Sequence, residues 1–172
     1  MKNLLVVVDM QNDFITGALA NPEGQKIVGK IVDYIYNFNG DIVFTKDTHF
    51  TSYLSHQEGK RLPVPHCIWN TEGHELVPEI AKAAESKDNS FYCVKETFGS
   101  VRLGQVVERE QYDTIYFVGV CTDICVISNA ILCKAFDPEA RIVVLKDMCA
   151  GVTPESHETA LKAMQACQIN VE

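Results

Sequence analysis

The sequence predicts a three-layer α/β/α fold with a mostly parallel, about six-stranded, doubly wound sheet. Three observations carry that expectation. Short continuous apolar runs recur along the chain, the pattern of strands buried on both faces. Segments with apolar residues at helical spacing separate them. Repeated strand–helix units need crossover connections, which lay helices on both faces of a parallel sheet.

The elements follow in order. Leu4–Val8 (LLVVV) reads as the first buried strand, and Gln25–Phe38 as the first long helix. Ile42–Thr45 is the second strand. Lys46–His74 is long and irregular, with Gly, Pro, three histidines and a fourth, His74, at its end; a loop of that length in a small domain is usually functional. Phe91–Val94 is a shorter strand and Val101–Arg109 a helix. Ile115–Val120 is a strand that ends at a polar turn, and Val126–Phe136 is the helix after it. Ile142–Leu145 is a strand. Pro154–Ala166 starts well as a helix, with Thr153 as N-cap and Pro154 at the first position. Ile169–Val171 closes the pattern as a short strand.

Composition narrows the class. The 172 residues are expected to form one domain, 1–172, with no repeat, linker or low-complexity segment. Apolar residues make up 47% and charged residues 22%, an ordinary globular balance. A net charge of −8 with no basic run argues against a nucleic-acid partner. No apolar stretch approaches membrane-spanning length, and the N-terminus enters a strand directly, so a cytoplasmic protein without a membrane partner is expected. Seven cysteines in no paired CxxC framework suggest free thiols in a reducing compartment. Homo-oligomerisation is left open.

In an open parallel sheet, ligands bind beyond the carboxyl ends of the strands. Reactive side chains cluster there. Asp9 follows the first strand, Asp47 and His49 the second, Lys95 the third, Cys121 and Cys125 the fourth, and Asp147 the fifth. Cys125 sits where a helix should begin, facing unsatisfied N–H groups and the positive end of the macrodipole. Both favour thiolate, the nucleophilic form, and the same N–H groups can stabilise an oxyanion. Asp9 could accept the Cys125 proton and return it to a leaving amine. Lys95 could hold both acidic groups in their anionic forms. The plain alternative is an Asp9–Lys95 ion pair beside an inert buried thiol.

Three motifs carry a family resemblance. VVDMQNDF (Val7–Phe14), VKETFGS (Val94–Ser100) and GVCTDICV (Gly119–Val126) occur in that order, with a further similar stretch at Asp147–Leu161. Together they resemble the isochorismatase-like cysteine hydrolase superfamily, in its nicotinamidase/pyrazinamidase branch. The resemblance implies Asp9 as catalytic aspartate, Lys95 as catalytic lysine and Cys125 as nucleophile. It also implies a cis Val120–Cys121 peptide, with the N–H groups of Cys121 and Cys125 as the oxyanion hole.

The long loop holds a second constellation. Asp47 and His49 form a D-x-H pair on one side of an extended backbone, followed by His56, Glu58 and His66. Mixed Asp, Glu and His ligands suit Zn, Mn or Fe. The resemblance implies a metal on this loop, held by the D-x-H pair, a middle Glu or His, and the His of a PPH-like segment, here LPVPHC with His66. His56 and Glu58 both lie near the middle position; Glu58 is expected, because HQE resembles the His-Pro-Glu form of part of the family. Zn is the expected ion, with Mn or Fe as alternatives. Phe14, one turn past Asp9, is expected to pack on the substrate ring. Relatives place an aromatic before the PPH segment. Here that stretch is Leu62-Pro63-Val64-Pro65, and Trp69, expected in the core, comes after His66. His74 and His157 are expected to be solvated.

The resulting expectation is a metal-dependent amidohydrolase that converts nicotinamide to nicotinate and ammonia, with a small carboxamide as its partner. The alternatives are a metal-free hydrolase of another small amide or of isochorismate, and a non-catalytic module on the same fold.

Overall fold

A computed structural model describes all residues, Met1–Glu172. Six strands form one sheet: β1 Asn3–Val8, β2 Asp41–Asp47, β3 Ser90–Lys95, β4 Thr114–Val120, β5 Arg141–Ala150 and β6 Asn170–Val171. Their order is β3-β2-β1-β4-β5-β6, and every neighbouring pair is parallel. The helices are α1 Asn12–Ile15, α2 Pro22–Asn37, α3 Gln57–Arg61, α4 Pro78–Glu85, α5 Val101–Glu110, α6 Ile127–Phe136 and α7 Pro154–Ala166. This is the three-layer, doubly wound architecture the apolar runs imply.

Side-chain alternation builds two cores. Leu4, Val6 and Val8 of β1 face α5, α6 and α7, where Leu103, Val107, Ala130, Cys133, Leu161 and Met164 pack. Leu5 and Val7 face α2 and α4, against Ile27, Ile31, Ile35, Ile80 and Ala83. Each β1 residue from Leu4 to Val8 is fully buried, which is why the run is apolar at every position rather than at alternate ones. Fully burying a Leu or Val side chain contributes about 1.5–3 kcal/mol. The chain winds outward from β1 through β2 to β3, then from β4 through β5 to β6. The reversal lies between β1 and β4, and a doubly wound sheet opens its ligand crevice at such a point.

Three elements differ from the sequence pattern. β5 bulges: its register jumps from Phe117↔Val144 to Gly119↔Cys149, so the strand resumes after Leu145 and runs to Ala150. Two helices carry no long periodic run: α1, of only four residues, and α4, whose Pro78 at N1 marks its start. The stretch after β2 is also less irregular than its composition suggests. It holds α3 and two single 3₁₀ turns, Tyr53–Ser55 and Glu72–His74. No helix is long and apolar enough to cross a membrane.

Candidate active site

The crevice between β1 and β4 gathers an acid, a lysine and a thiol. Asp9 follows β1 directly, is fully buried and takes a left-handed φ of 49°, a conformation Asp tolerates better than most residues. The Thr45 hydroxyl donates to its Oδ1 at 2.6 Å, and the Asp9 N–H donates back to that hydroxyl oxygen at 3.2 Å. Lys95 ends β3, paired in register with Asp47 at the end of β2. Its Nζ lies 2.7 Å from Asp9 Oδ2, 3.1 Å from Asp47 Oδ1 and 3.6 Å from Cys125 Sγ. One buried ammonium therefore touches both carboxylates and the thiol.

Burial sets the proton positions. It pushes the Asp9 carboxyl up; Lys95 pulls it back, Asp47 adds to the rise, and the balance stays above the ordinary 3.8. Burial also acts upward on Asp47, but the neighbouring His49 and His66 imidazoles and the Lys95 charge overcome it and hold this carboxyl well below the usual range. Burial works against the Lys95 ammonium, yet Asp9, Cys125 and Asp47 keep it charged, well above the usual lysine value. Burial and the Asp9 charge push the Cys125 thiol well above 9. This corrects the expectation of a resting thiolate: Cys125 is only 5% exposed, and desolvation outweighs the helix-end field. Burial and the Asp9 charge both favour the thiol over the thiolate.

The turn that carries Cys125 also departs from the simple picture. Cys125 does not start an α-helix. It lies inside a π-helical turn, Thr122–Val126, and α6 begins at Ile127. The Val120–Cys121 peptide is cis. The Cys121 carbonyl accepts from both Ile124 N–H at 3.1 Å and Val126 N–H at 3.0 Å, folding the turn back on itself. Gly119, with φ of 113°, leads into it; a Cβ there would collide with the Val8 carbonyl, so only glycine lets β4 approach β1 this closely. Cys121 is half-buried, and burial with Asp123 and Asp9 pushes its thiol up to about 12.

A second cluster shares Asp47. His49 Nε2 lies 3.0 Å from Asp47 Oδ2 and 3.5 Å from Glu58 Oε1. His66 Nε2 lies 3.6 and 3.7 Å from the same two oxygens. The ligand atoms of Asp47, His49, Glu58 and His66 all fall within 4.8 Å of one another. His66 Nδ1 donates to the Val64 carbonyl at 2.8 Å, which leaves its Nε2 lone pair facing the cluster. His49 Nε2 is buried without an aligned hydrogen-bond partner. Imidazole nitrogens and carboxylate oxygens converging on one point, one of them buried and unsatisfied, fit a divalent cation. Without one, Asp47 and Glu58 push His49 up to about 9 against the effect of its burial. His56 turns away: its Nε2 pairs with the Ser52 hydroxyl at 3.2 Å.

The remaining residues sort as follows. Phe14 on α1 lies beside the cluster, its ring 5.4 Å from that of His66. Asp147 does not reach the rim; it lies exposed in the β5 bulge. Trp69 is 54% exposed rather than in the core. His74 is buried rather than solvated, with Nε2 2.8 Å from the Thr48 hydroxyl. His157 is half-buried, its Nδ1 2.7 Å from Thr122 Oγ1 in the Cys125 turn.

Four positioning residues have no place in the sequence reading. Thr45 fixes Asp9. Gln11 accepts the Asp47 N–H at 2.7 Å and donates to the carbonyls of Asp47 and His74. Buried Asn129 donates to the Cys125 and Phe98 carbonyls and accepts the Ser100 N–H, joining the Cys125 turn to the segment after Lys95. The Tyr53 ring packs 4.6 Å from His49 and 5.1 Å from His66. A polar residue inside an apolar run, as at Thr45 and Asn129, is the one signal that could have found two of them.

Known proteins resemble this chain in sequence and fold. The isochorismatase domain model matches residues 3–172. An isochorismatase family protein of Bacillus subtilis, PncA, is 34% identical, covering 94% of this chain and 93% of its own. The nicotinamidase of Saccharomyces cerevisiae is 29% identical over 97% of each chain. The crystal structure of a Pyrococcus horikoshii pyrazinamidase in complex with zinc superposes with a TM-score of 0.83 at 29% identity, covering 100% of this chain and 99% of that one. With the doubly wound sheet and a family match that runs from β1 to the last residue, the chain belongs to the isochorismatase family.

Proposed function

We propose that this protein is an amidohydrolase that converts nicotinamide and water to nicotinate and ammonia, with Cys125 as nucleophile. The observation that carries the reading is the double use of Asp47: Oδ1 meets Lys95, while Oδ2 meets His49 and His66. The acid–lysine–thiol group and the cation-type cluster are thus parts of one site. Nicotinamide has two features to match, a carboxamide and a ring nitrogen. The names of the yeast and archaeal relatives support the same substrate class.

The residues divide the work. Asp9 takes the Cys125 proton as the sulfur attacks the carboxamide carbon. The N–H groups of Cys121 and Cys125 receive the oxyanion, where one such donor is typically worth roughly 100- to 1000-fold in kcat. As the C–N bond breaks, Asp9 gives its proton to the nitrogen, and ammonia leaves. Asp9 then takes a proton from a water that attacks the thioester; as the C–S bond breaks, Asp9 passes that proton to the sulfur, and the acid product leaves as nicotinate after losing its own proton to solvent. Lys95 keeps Asp9 oriented and balances the charge that passes between acid and sulfur. Asp47, His49, Glu58 and His66 would hold the divalent cation, with zinc the ion that the mixed N/O donor set suits. When bound, that cation supplies a Lewis-acid point for the pyridine nitrogen. Phe14 would pack on the ring.

The test is ammonia release from nicotinamide, with bound metal assayed on the same sample. Release that needs Zn, Mn or Fe is expected, with benzamide, which lacks the ring nitrogen, a poor substrate. A metal-free protein that gains nothing from these ions, or one that turns over benzamide equally well, would refute the metal-dependent reading.

A further inference from the structure

The second aspartate of the VVDMQNDF stretch has no part in the chemistry above. Asp13 lies on α1, and its half-buried side chain reaches the loop that carries His66. Asp13 Oδ2 accepts the Cys67 N–H at 2.7 Å, and Oδ1 accepts the Ala18 N–H at 3.2 Å. The carboxyl fills a gap that glycines leave open. A Cβ at Gly73 would collide with both carboxyl oxygens, and one at Gly17 would come within 2.5 Å of Oδ1.

The Cys67 N–H belongs to the peptide that joins Cys67 to His66, so this bond fixes the backbone from which the His66 imidazole projects. Cys67 is fully buried and takes a left-handed φ of 46°, which a residue with a Cβ adopts where its surroundings hold it there. The same segment holds the other imidazole. The Cys67 carbonyl accepts the His49 N–H at 3.0 Å, and the Trp69 N–H donates to the His49 carbonyl at 2.8 Å. One carboxyl therefore anchors a backbone that carries His66 directly and grips His49 from both sides. Gln11, just before it in the chain, holds the Asp47 backbone in the same way.

We infer that Asp13 is a positioning residue for the cation site, presetting His66 and His49 so that the cluster takes up zinc without first ordering its loop. The inference rests on the reading of Asp47, His49, Glu58 and His66 as ligands. Groups that orient the ligands set metal affinity, because donors already in place lose little freedom on binding.

The test is zinc affinity, measured on metal-stripped protein by competition with a chromogenic chelator, with ammonia release from nicotinamide as a second readout. Asp13→Ala should bind zinc roughly 10- to 100-fold more weakly with an unchanged circular-dichroism spectrum, and excess zinc should restore its kcat. Asp13→Asn, whose amide oxygen can still accept the Cys67 N–H, should lose less. Gly73→Ala keeps the carboxyl but pushes it from its place. Zinc should bind more weakly there too, and the double variant should be no worse than Asp13→Ala alone, because both changes break the same contact. If Asp13→Ala does not fold, Gly73→Ala decides. Wild-type zinc affinity in either variant would overturn the inference, as would losses that add in the double variant, or a kcat that excess zinc does not restore. A wild type that binds no zinc would instead remove the ligand reading, and the inference with it.

Discussion

Asp9 and Cys125 are both protonated more readily than their free counterparts, because both are buried in the same crevice. An acid that must accept a proton works better for being raised, since its affinity for that proton moves toward the thiol's. The expected consequence is an acidic limb in kcat/KM. Asp9 is competent only as carboxylate, so activity falls as pH drops through its folded pKa, above the ordinary 3.8. Asp9→Asn should remove that limb and lower kcat by roughly 100- to 10,000-fold, read from steady-state rates across pH. Cys125→Ala should abolish turnover with an unchanged circular-dichroism spectrum, while Cys121→Ala, which keeps its backbone N–H, retains much of it. An acyl adduct trapped on the wild type should map by mass spectrometry to the Cys125 peptide. His66→Ala removes a ligand whose proposed role is binding and orientation, so KM for nicotinamide should rise more than kcat falls. Metal analysis of the same variant should show the site depleted.

At the element scale, the site depends on how secondary structures end. Cys125, the proposed nucleophile, sits in a π-helical turn in which Cys121 O gathers two N–H groups, and Asn129 on α6 ties Cys125 O to the Lys95 segment. Helix α7 shows the simplest terminus. Thr153 Oγ1 accepts the Ser156 N–H at 3.0 Å, Ser156 Oγ accepts the Thr153 N–H at 3.0 Å, and Pro154 presets the first turn. Thr153→Ala should therefore cost about 1 kcal/mol, roughly 2–4 °C in Tm. Calorimetry checks the value, and kcat should change little, because the contacts of this end of α7 with the Cys125 turn are made by the His157 ring and the Val152 N–H rather than by the Thr153 hydroxyl.

For the whole molecule, the proposed cation would join parts of the chain that the sheet alone does not hold. Asp47 ends β2, His49 follows it, Glu58 lies on α3 and His66 in the loop beyond. A cation that binds the folded chain and not the unfolded one stabilises it by about 2.7 kcal/mol at a hundred times its Kd. Chelation should lower the Tm of the wild type and added zinc restore it, in differential scanning calorimetry. His49→Ala should show neither response. A wild-type Tm indifferent to chelator would contradict the four-ligand arrangement.

Much of this was legible from residues alone. Strands β1, β2 and β4 announce themselves as apolar runs, because a strand buried on both faces leaves little room for polar side chains; edge strand β3, with Tyr92 and Val94 exposed, gives a shorter signal. The α7 start is readable because capping is chemistry local to a few residues. The three motifs placed Asp9, Lys95 and Cys125 at strand ends, and the D-x-H pair with His66 marked the second cluster. Tertiary structure alone decided the rest. Helices α1 and α4 are too short for a periodic signal, and packing on α2 and the rim holds them. Asp147 misses the rim because a bulge, invisible in composition, lengthens β5. His74 and Trp69 exchange their expected environments because burial depends on which loop covers which face. The choice of Glu58 over His56 at the cluster rests on the direction of α3. The Cys125 thiol has its proton for the same kind of reason: a helix-end field acts locally and can be read from sequence, whereas desolvation is the sum of everything packed around the sulfur and exists only once the chain has folded.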